Sequence, residues 1–305
     1  MRAFCWFFGL ILLGIAAIGL LSYPAWLLVS PHFNFAFHRV GTRIGMLVVL
    51  CGFFYIARRL RLGDRASLGY GLPRAAFFRE AGVGLLLGLG LMLPIVAAML
   101  ALDLRVLKSD VVLDTATVSK LIVRGFGSGL TVALIEETFL RGAMWSGIAR
   151  ESGPRLATLL TALVYAATHF IGRFRIAAAD VGPDSGMVLL AGTFHDFAAP
   201  MAIADAFLCL FAVGLLLGFV RQLTGNIAAC LGLHAGWVCV ITVVRETSTR
   251  DPAQPLSWLL SAFDGFVGWL VLAWTAVIGL ALYRFYRHRN GHRNGHRSVS
   301  PRPAG

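Results

Sequence analysis

The sequence predicts an all-α protein, a polytopic membrane bundle of about eight transmembrane helices. Two observations carry this. The 305 residues are 58% hydrophobic and only 14% charged, against about 25% charged in soluble domains. The apolar residues also gather into eight runs, at roughly 4–29, 42–57, 81–102, 126–149, 156–172, 203–220, 226–244 and 258–283, most of them near the ~20 residues a spanning helix needs.

The first run follows only Met1, Arg2 and Ala3. It is far longer than the apolar core of a signal peptide, and no small-residue cleavage site follows it, so it is read as a retained span. Arg and Lys placement tests the count. With the N-terminus inside, inner segments hold sixteen basic residues, including the dense group Arg58, Arg59, Arg61, Arg65, Arg74 and Arg79, and outer segments hold ten. This excess obeys the positive-inside rule with both termini cytoplasmic, in a plasma (bacterial inner) membrane. An odd number of spans would put that group opposite the basic tail.

Between the spans, 103–124 mixes charged and apolar positions and reads as an interfacial helix. Residues 173–202 contain Gly182-Pro183-Asp184-Ser185-Gly186 and read as a turn-rich outer loop. The tail 284–305, rich in Arg, His, Asn and Gly, reads as disordered and attracted to anionic lipid. The chain thus divides into N-terminal spans and loops (1–124), a core (125–245), a last span (246–283) and the tail. Net charge is +12, but the cations flank apolar runs and no phosphate loop or basic-aromatic module accompanies them. Anionic lipid is therefore the expected partner and nucleic acid is not. The five cysteines fall mostly inside apolar runs without CxxC spacing and read as small buried hydrophobes. No repeat of fixed period is visible.

The fourth run carries the chemistry. Glu136, Glu137 and Arg141 lie inside it, where each ionised group costs about 2.5–3.5 kcal/mol at mid-bilayer. Glu137 and Arg141 are one helical turn apart and can pair. Glu136 points about 100° away and lacks that partner, which marks it as functional. Two more polar groups sit in spans: His169, closing Tyr165-Ala-Ala-Thr-His169, and His234, in Leu231-Gly-Leu-His-Ala-Gly-Trp-Val238. A carboxylate and two imidazoles on three helices can position a hydrolytic water. The same residues could instead form a structural lock for the bundle, and small neighbours (Gly142, Ala143, Ala166, Ala167, Ala235, Gly236) let helices approach closely either way.

Glu136-Glu137-x-x-x-Arg141, then aromatic-x-x-x-His on the next helix, then His234 two helices on, resembles the CPBP family. These are the type II CAAX prenyl endopeptidase-like and bacteriocin-processing membrane proteases, also called Abi proteins. The resemblance covers roughly 125–245 and implies an eight-helix intramembrane endopeptidase. It makes Glu136 the general base for water. His169 would help hold that water or a metal, and His234 would be a metal ligand or oxyanion donor. Glu137, Arg141 and Tyr165 would support them. Glu136, His169 and His234 together suit a divalent metal such as zinc, and Glu with hydrogen-bond donors suffices without one. The substrate would be a membrane-associated peptide or a lipid-modified protein tail, entering from the lipid or the inner face.

Two positions depart from the family pattern. Tyr165 stands where Phe is usual. Val238 stands where the family's HxxxN motif places Asn, and the loss of one oxyanion donor commonly costs about 10²–10³ in rate. Thr242, Cys239 or Tyr165 would then have to substitute, or catalysis is impaired. A proton- or ion-coupled transporter using Glu136, His169 and His234 as relays is the alternative from another class, although no inverted repeat supports it. A non-catalytic scaffold or immunity protein is the third. The protease reading expects the Glu136 carboxylate and both imidazoles to face one polar cavity.

Overall fold

The computed structural model describes the backbone of residues 1–297 and side chains as far as residue 287. Helix α1 (Arg2–Val29) turns back into α2 (Phe37–Arg59), and α3 (Arg74–Ala101) follows. A short strand β1 (Arg105–Leu107) precedes a long continuous helical rod. That rod consists of α4 (Thr115–Glu137), a π-helical segment (Thr138–Met144) and α5 (Trp145–Ser152). Then come α6 (Pro154–Thr168), the short α7 (Ser185–Gly192), α8 (Pro200–Thr224), α9 (Ala228–Thr247), strand β2 (Ser248–Arg250) and α10 (Trp269–Arg297).

Seven of these helical units are long and apolar enough to cross a membrane. The fifth expected span is α6, whose 15 residues reach about 22 Å, short of the ~30 Å hydrocarbon layer. Contacts between chain ends nevertheless require that α6 traverse the bundle. At one end the Met1 ammonium meets Glu151 at 2.7 Å, Arg150 donates to the Arg61 carbonyl at 3.0 Å, and Asn226 donates to Glu80 at 3.1 Å. At the other end Lys108 donates to the carbonyl of Arg245 at 2.7 Å, Gln254 to that of Leu102 at 2.9 Å and Arg173 to that of Phe263 at 2.8 Å. Consecutive connections therefore alternate between ends, as eight crossings demand.

The helices meet through small residues. A Cβ on Gly84 would lie 2.6 Å from the Ala229 carbonyl oxygen, and one on Gly88 2.6 Å from that of Leu233, so α3 lies backbone-to-backbone on α9. On the other flank of α9, Gly125 and Gly129 of α4 bring that helix against Cys239 and Ala235. Gly214 and Gly218 of α8 do the same against Ala162 and Thr158 of α6. Each pair is spaced by four, the small-xxx-small pattern by which helices associate where no hydrophobic force drives them together. Helix α9 is the shared centre, and His234 sits midway between its own Gly232 and Gly236.

Several expectations need correction. The stretch 103–124 is not an interfacial helix: Arg105–Leu107 pairs antiparallel with Ser248–Arg250, and α4 begins at Thr115. Asp114 caps α4, accepting from the Thr117 N–H at 2.7 Å, and that bond holds its carboxyl below the ordinary aspartate range. The outer segment 173–202 contains α7, whose Leu189 and Leu190 fill the space left by Gly41 and Gly19 on α2 and α1. Arg221, one of the sixteen basic residues counted on the inner side, is buried, 5% exposed. The last helix starts at Trp269, not 258, and continues as helix to Arg297 through the stretch read as disordered. The final part of that tail, 298–305, lies outside the described residues.

Gly88 and Gly90 of α3 give a matched test of the close packing. Gly88→Ala should lower stability by about 1–3 kcal/mol through overpacking against α9. Gly90→Ala, whose Cβ would meet nothing within 4 Å, should be neutral or stabilising by up to about 1 kcal/mol. Thermal unfolding of the two variants in detergent measures the difference.

Candidate active site

The rod α4–π–α5 brings the acidic pair to the middle of the bundle. Glu137 is the last residue of α4 and is 0% exposed. Its Oε1 accepts from Arg141 Nη1 at 3.0 Å, the predicted i,i+4 pair. The same oxygen accepts from His234 Nδ1 at 2.8 Å, across 97 residues of chain. Glu137 therefore does more than neutralise an arginine: it orients an imidazole. With Nδ1 donating to a carboxylate, Nε2 presents its lone pair to the site, the arrangement by which ligating or catalytic histidines are commonly fixed.

That Nε2 stands 4.0 Å from Glu136 Oε2. The distance is too long for a direct hydrogen bond and short enough for one water to touch both groups. The Glu136 side chain is 32% exposed, while its Oε2 is buried and has no protein partner. A carboxylate oxygen held free beside a basic nitrogen is suited to taking a proton from water.

Arg141 is also wholly buried. Besides Glu137 it donates to the Gly214 carbonyl of α8 at 3.3 Å, and its guanidinium lies over the Tyr165 ring, 4.6 Å from the centroid. Tyr165 in turn sits edge-on to both imidazoles, with centroids 4.6 Å from His169 and 6.0 Å from His234. His169 caps α6, its Nδ1 bonded to the Tyr165 carbonyl at 2.7 Å. The structure thus gathers Glu136, Glu137, Arg141, Tyr165 and His234 directly, and joins His169 to them through the tyrosine ring.

The expected single cavity is more divided than the sequence suggested. His169 lines an open cavity of ≈ 630 Å³ walled by Arg105, Arg173, Arg250 and Phe263, and neither Glu136 nor His234 contributes to that wall. For a metal, Glu136 and His234 supply two neighbouring donors. No group of three His, Cys, Asp or Glu side chains able to hold one ion occurs among the described residues. As placed, the expected trio does not fit a metal site.

Three supporting features have no clear sequence signal. The π-helical turn Thr138–Met144 follows the acidic pair directly, in keeping with the frequent siting of such turns at functional positions. It rests on the 60–73 loop: a Cβ on Gly142 would lie 2.6 Å from the Leu68 carbonyl, and Tyr70 and Thr138 share a 2.6 Å hydroxyl hydrogen bond. Arg221 braces the segment from α8, donating through Nε to the Arg141 carbonyl at 3.0 Å and stacking on Trp145 at 4.7 Å. Val238 lies one turn beyond His234. Of its candidate substitutes, Thr242 already donates to the Val238 carbonyl at 2.7 Å, and Cys239 is packed against Gly125. Tyr165 is the one that borders both histidines.

Comparison with known proteins bears on this cluster. Residues 118–240 match the family model for type II CAAX prenyl endopeptidase, Rce1-like. The stretch is Rce1-like. The match spans α4 to α9 and includes every residue of the cluster, in line with the resemblance read from the motifs. It places this multi-pass membrane protein, at the coarse level, among peptidases. Neither the curated proteins nor the solved structures compared with it give a match.

Arg141→Met should strand Glu137 as an uncompensated buried charge and cost about 3–5 kcal/mol. Arg141→Lys should retain part of that stability, since the ammonium keeps the charge but loses the second donor to Gly214. Unfolding in detergent, followed by tryptophan fluorescence, reads both.

Proposed function

We propose that the protein is an intramembrane endopeptidase in which Glu136 activates water against a peptide carbonyl. The observation that carries the reading is the 4.0 Å gap between Glu136 Oε2 and His234 Nε2, with the imidazole oriented from behind by Glu137. Water held there gives its proton to Glu136 as the oxygen attacks, and the carboxyl then returns that proton to the leaving amine. The Tyr165 hydroxyl is assigned to the tetrahedral oxyanion, standing in for the Asn that Val238 replaces. His169, whose Nδ1 already donates to the Tyr165 carbonyl, is left to accept a hydrogen bond from water or substrate through Nε2. The Rce1-like match supports cleavage of a membrane-associated peptide or lipid-modified protein. No step passes through a metal, because the donor set does not assemble one. The arginine excess supports a cytoplasmic N-terminus in a plasma membrane, with the His169 cavity opening on the opposite side.

Glu136→Gln should lower kcat by at least about 10³ with the melting temperature little changed, since its carboxylate makes no closer charged contact than the 4.0 Å approach to His234; activity close to wild type would end the reading. A chelator should leave turnover intact, and metal analysis of the purified protein should be substoichiometric. Tyr165→Phe should lower kcat by about 10²–10³, and adding Val238→Asn to that variant should restore at least tenfold. Peptide cleavage in detergent micelles measures each rate.

A further inference from the structure

The cavity outside His169 carries more positive charge than its own structure uses. Arg105, Lys108, Arg173, Arg245 and Arg250 all line it, and the single carboxylate on its wall is Asp264, which is paired with Arg245. Two of the cations are directly opposed: Arg105 and Arg250 are register partners in the β1–β2 pair, where like charges destabilise a sheet. Arg105 is only 4% exposed, and burial, followed by the nearby Arg245 charge, pulls its pKa below the usual arginine value. Its partners are neutral: the Ser248 hydroxyl and carbonyl and the Gly265 carbonyl. Arg250 donates to the Ser257 carbonyl, and its buried Nε has no partner. Lys108 and Arg173 likewise spend one donor each on backbone carbonyls. Such a cluster repels itself unless an anion joins it.

We propose that this vestibule is the subsite for an acidic group of the peptide substrate, a chain-end carboxylate or an Asp or Glu side chain. The identification of the ligand as substrate rests on the peptidase reading. The link is His169, which belongs both to this wall and, through Tyr165, to the Glu136–His234 cluster, so a peptide anchored here would extend toward the reacting groups. A peptide suits the site better than a lipid headgroup. The open cavity is bordered by the β-strand pair, the 169–173 turn and the 263–265 turn, and β2 offers extended backbone along one wall.

Binding of short peptides to the full-length protein in a neutral detergent tests this without requiring cleavage. The probes are an N-acetylated tetraleucine with a free C-terminal carboxylate and its C-terminal amide, compared by thermal shift and titration at fixed ionic strength. The acid should bind at least about tenfold more tightly than the amide, the usual scale for a charge-assisted hydrogen bond. Arg250→Gln should collapse that ratio. Arg173→Gln, at an exposed position, should reduce it and keeps the test open should the variant at half-buried Arg250 fail to fold. Phosphatidylglycerol in mixed micelles should compete no better than phosphatidylcholine. Equal binding of acid and amide, binding of neither, a ratio untouched by either substitution, or displacement by phosphatidylglycerol alone would each overturn the proposal. No cleavage of any peptide by the wild-type protein, with the acid–amide ratio intact, would instead remove the peptidase reading and leave the anion site standing.

Discussion

One carboxylate oxygen holds the centre of this protein together. Glu137 Oε1 accepts from Arg141 on its own helix and from His234 on α9, in a place from which water is excluded. Charge at such a depth is tolerated only when paired and hydrogen-bonded. Because both donors converge on the same oxygen, the pairing fixes the rotation of α4 about its axis and that of α9. Glu136, one residue earlier, is thereby aimed at the far nitrogen of the same imidazole. The two readings that the sequence offered as alternatives share one device: Glu137 and Arg141 form the lock, and what it positions is Glu136 against His234.

A 2.8 Å contact between helices requires their backbones to lie unusually close, and the glycine faces supply that. Helix α9 is approached by Gly84 and Gly88 of α3 on one flank and by Gly125 and Gly129 of α4 on the other. Leu233 and Ala235, whose carbonyls meet Gly88 and Gly129, flank His234 in sequence. The packing that brings the helices together therefore acts on the very turn that carries the imidazole. Arg221 and the 60–73 loop perform a similar service for the π segment, bracing it from α8 and from below so that Arg141 stays under Tyr165.

What the sequence made legible follows from the range of the forces involved. Span positions came through because hydropathy is a local average, and the Glu137–Arg141 pair because its partners are one turn apart. The Glu137–His234 bond could not be read, since nothing local marks which of two adjacent glutamates faces a helix 97 positions away. Helix α7 was hidden by its brevity and by the Gly182-Pro183 turn before it. The β1–β2 pair is three residues a side, too short for alternation to register. Arg221 was misread because an arginine at the end of an apolar run looks the same whether it reaches into water or back under the neighbouring helix.

The two ends of the bundle differ in what their charge does. Ion pairs form at both, Met1 with Glu151 and Arg150 with Asp64 at the N-terminal end, Arg124 with Glu246 and Arg245 with Asp264 at the other. At the opposite end Arg105 and Arg250 face each other across a strand pair, and carbonyl oxygens take most of the hydrogen bonds. Backbone dipoles can satisfy a guanidinium's directionality without cancelling its charge, so the field above His169 stays positive. On the proposed peptidase reading the unpaired Glu136 carboxylate would repel an acidic substrate, Glu137 being paired with Arg141. On that reading the cations lining the His169 cavity would offset the repulsion and hold an anionic group apart from the carboxylate proposed as base. His169, in the wall of that cavity and edge-on to the Tyr165 ring, is the residue that joins the basic end to the acidic centre.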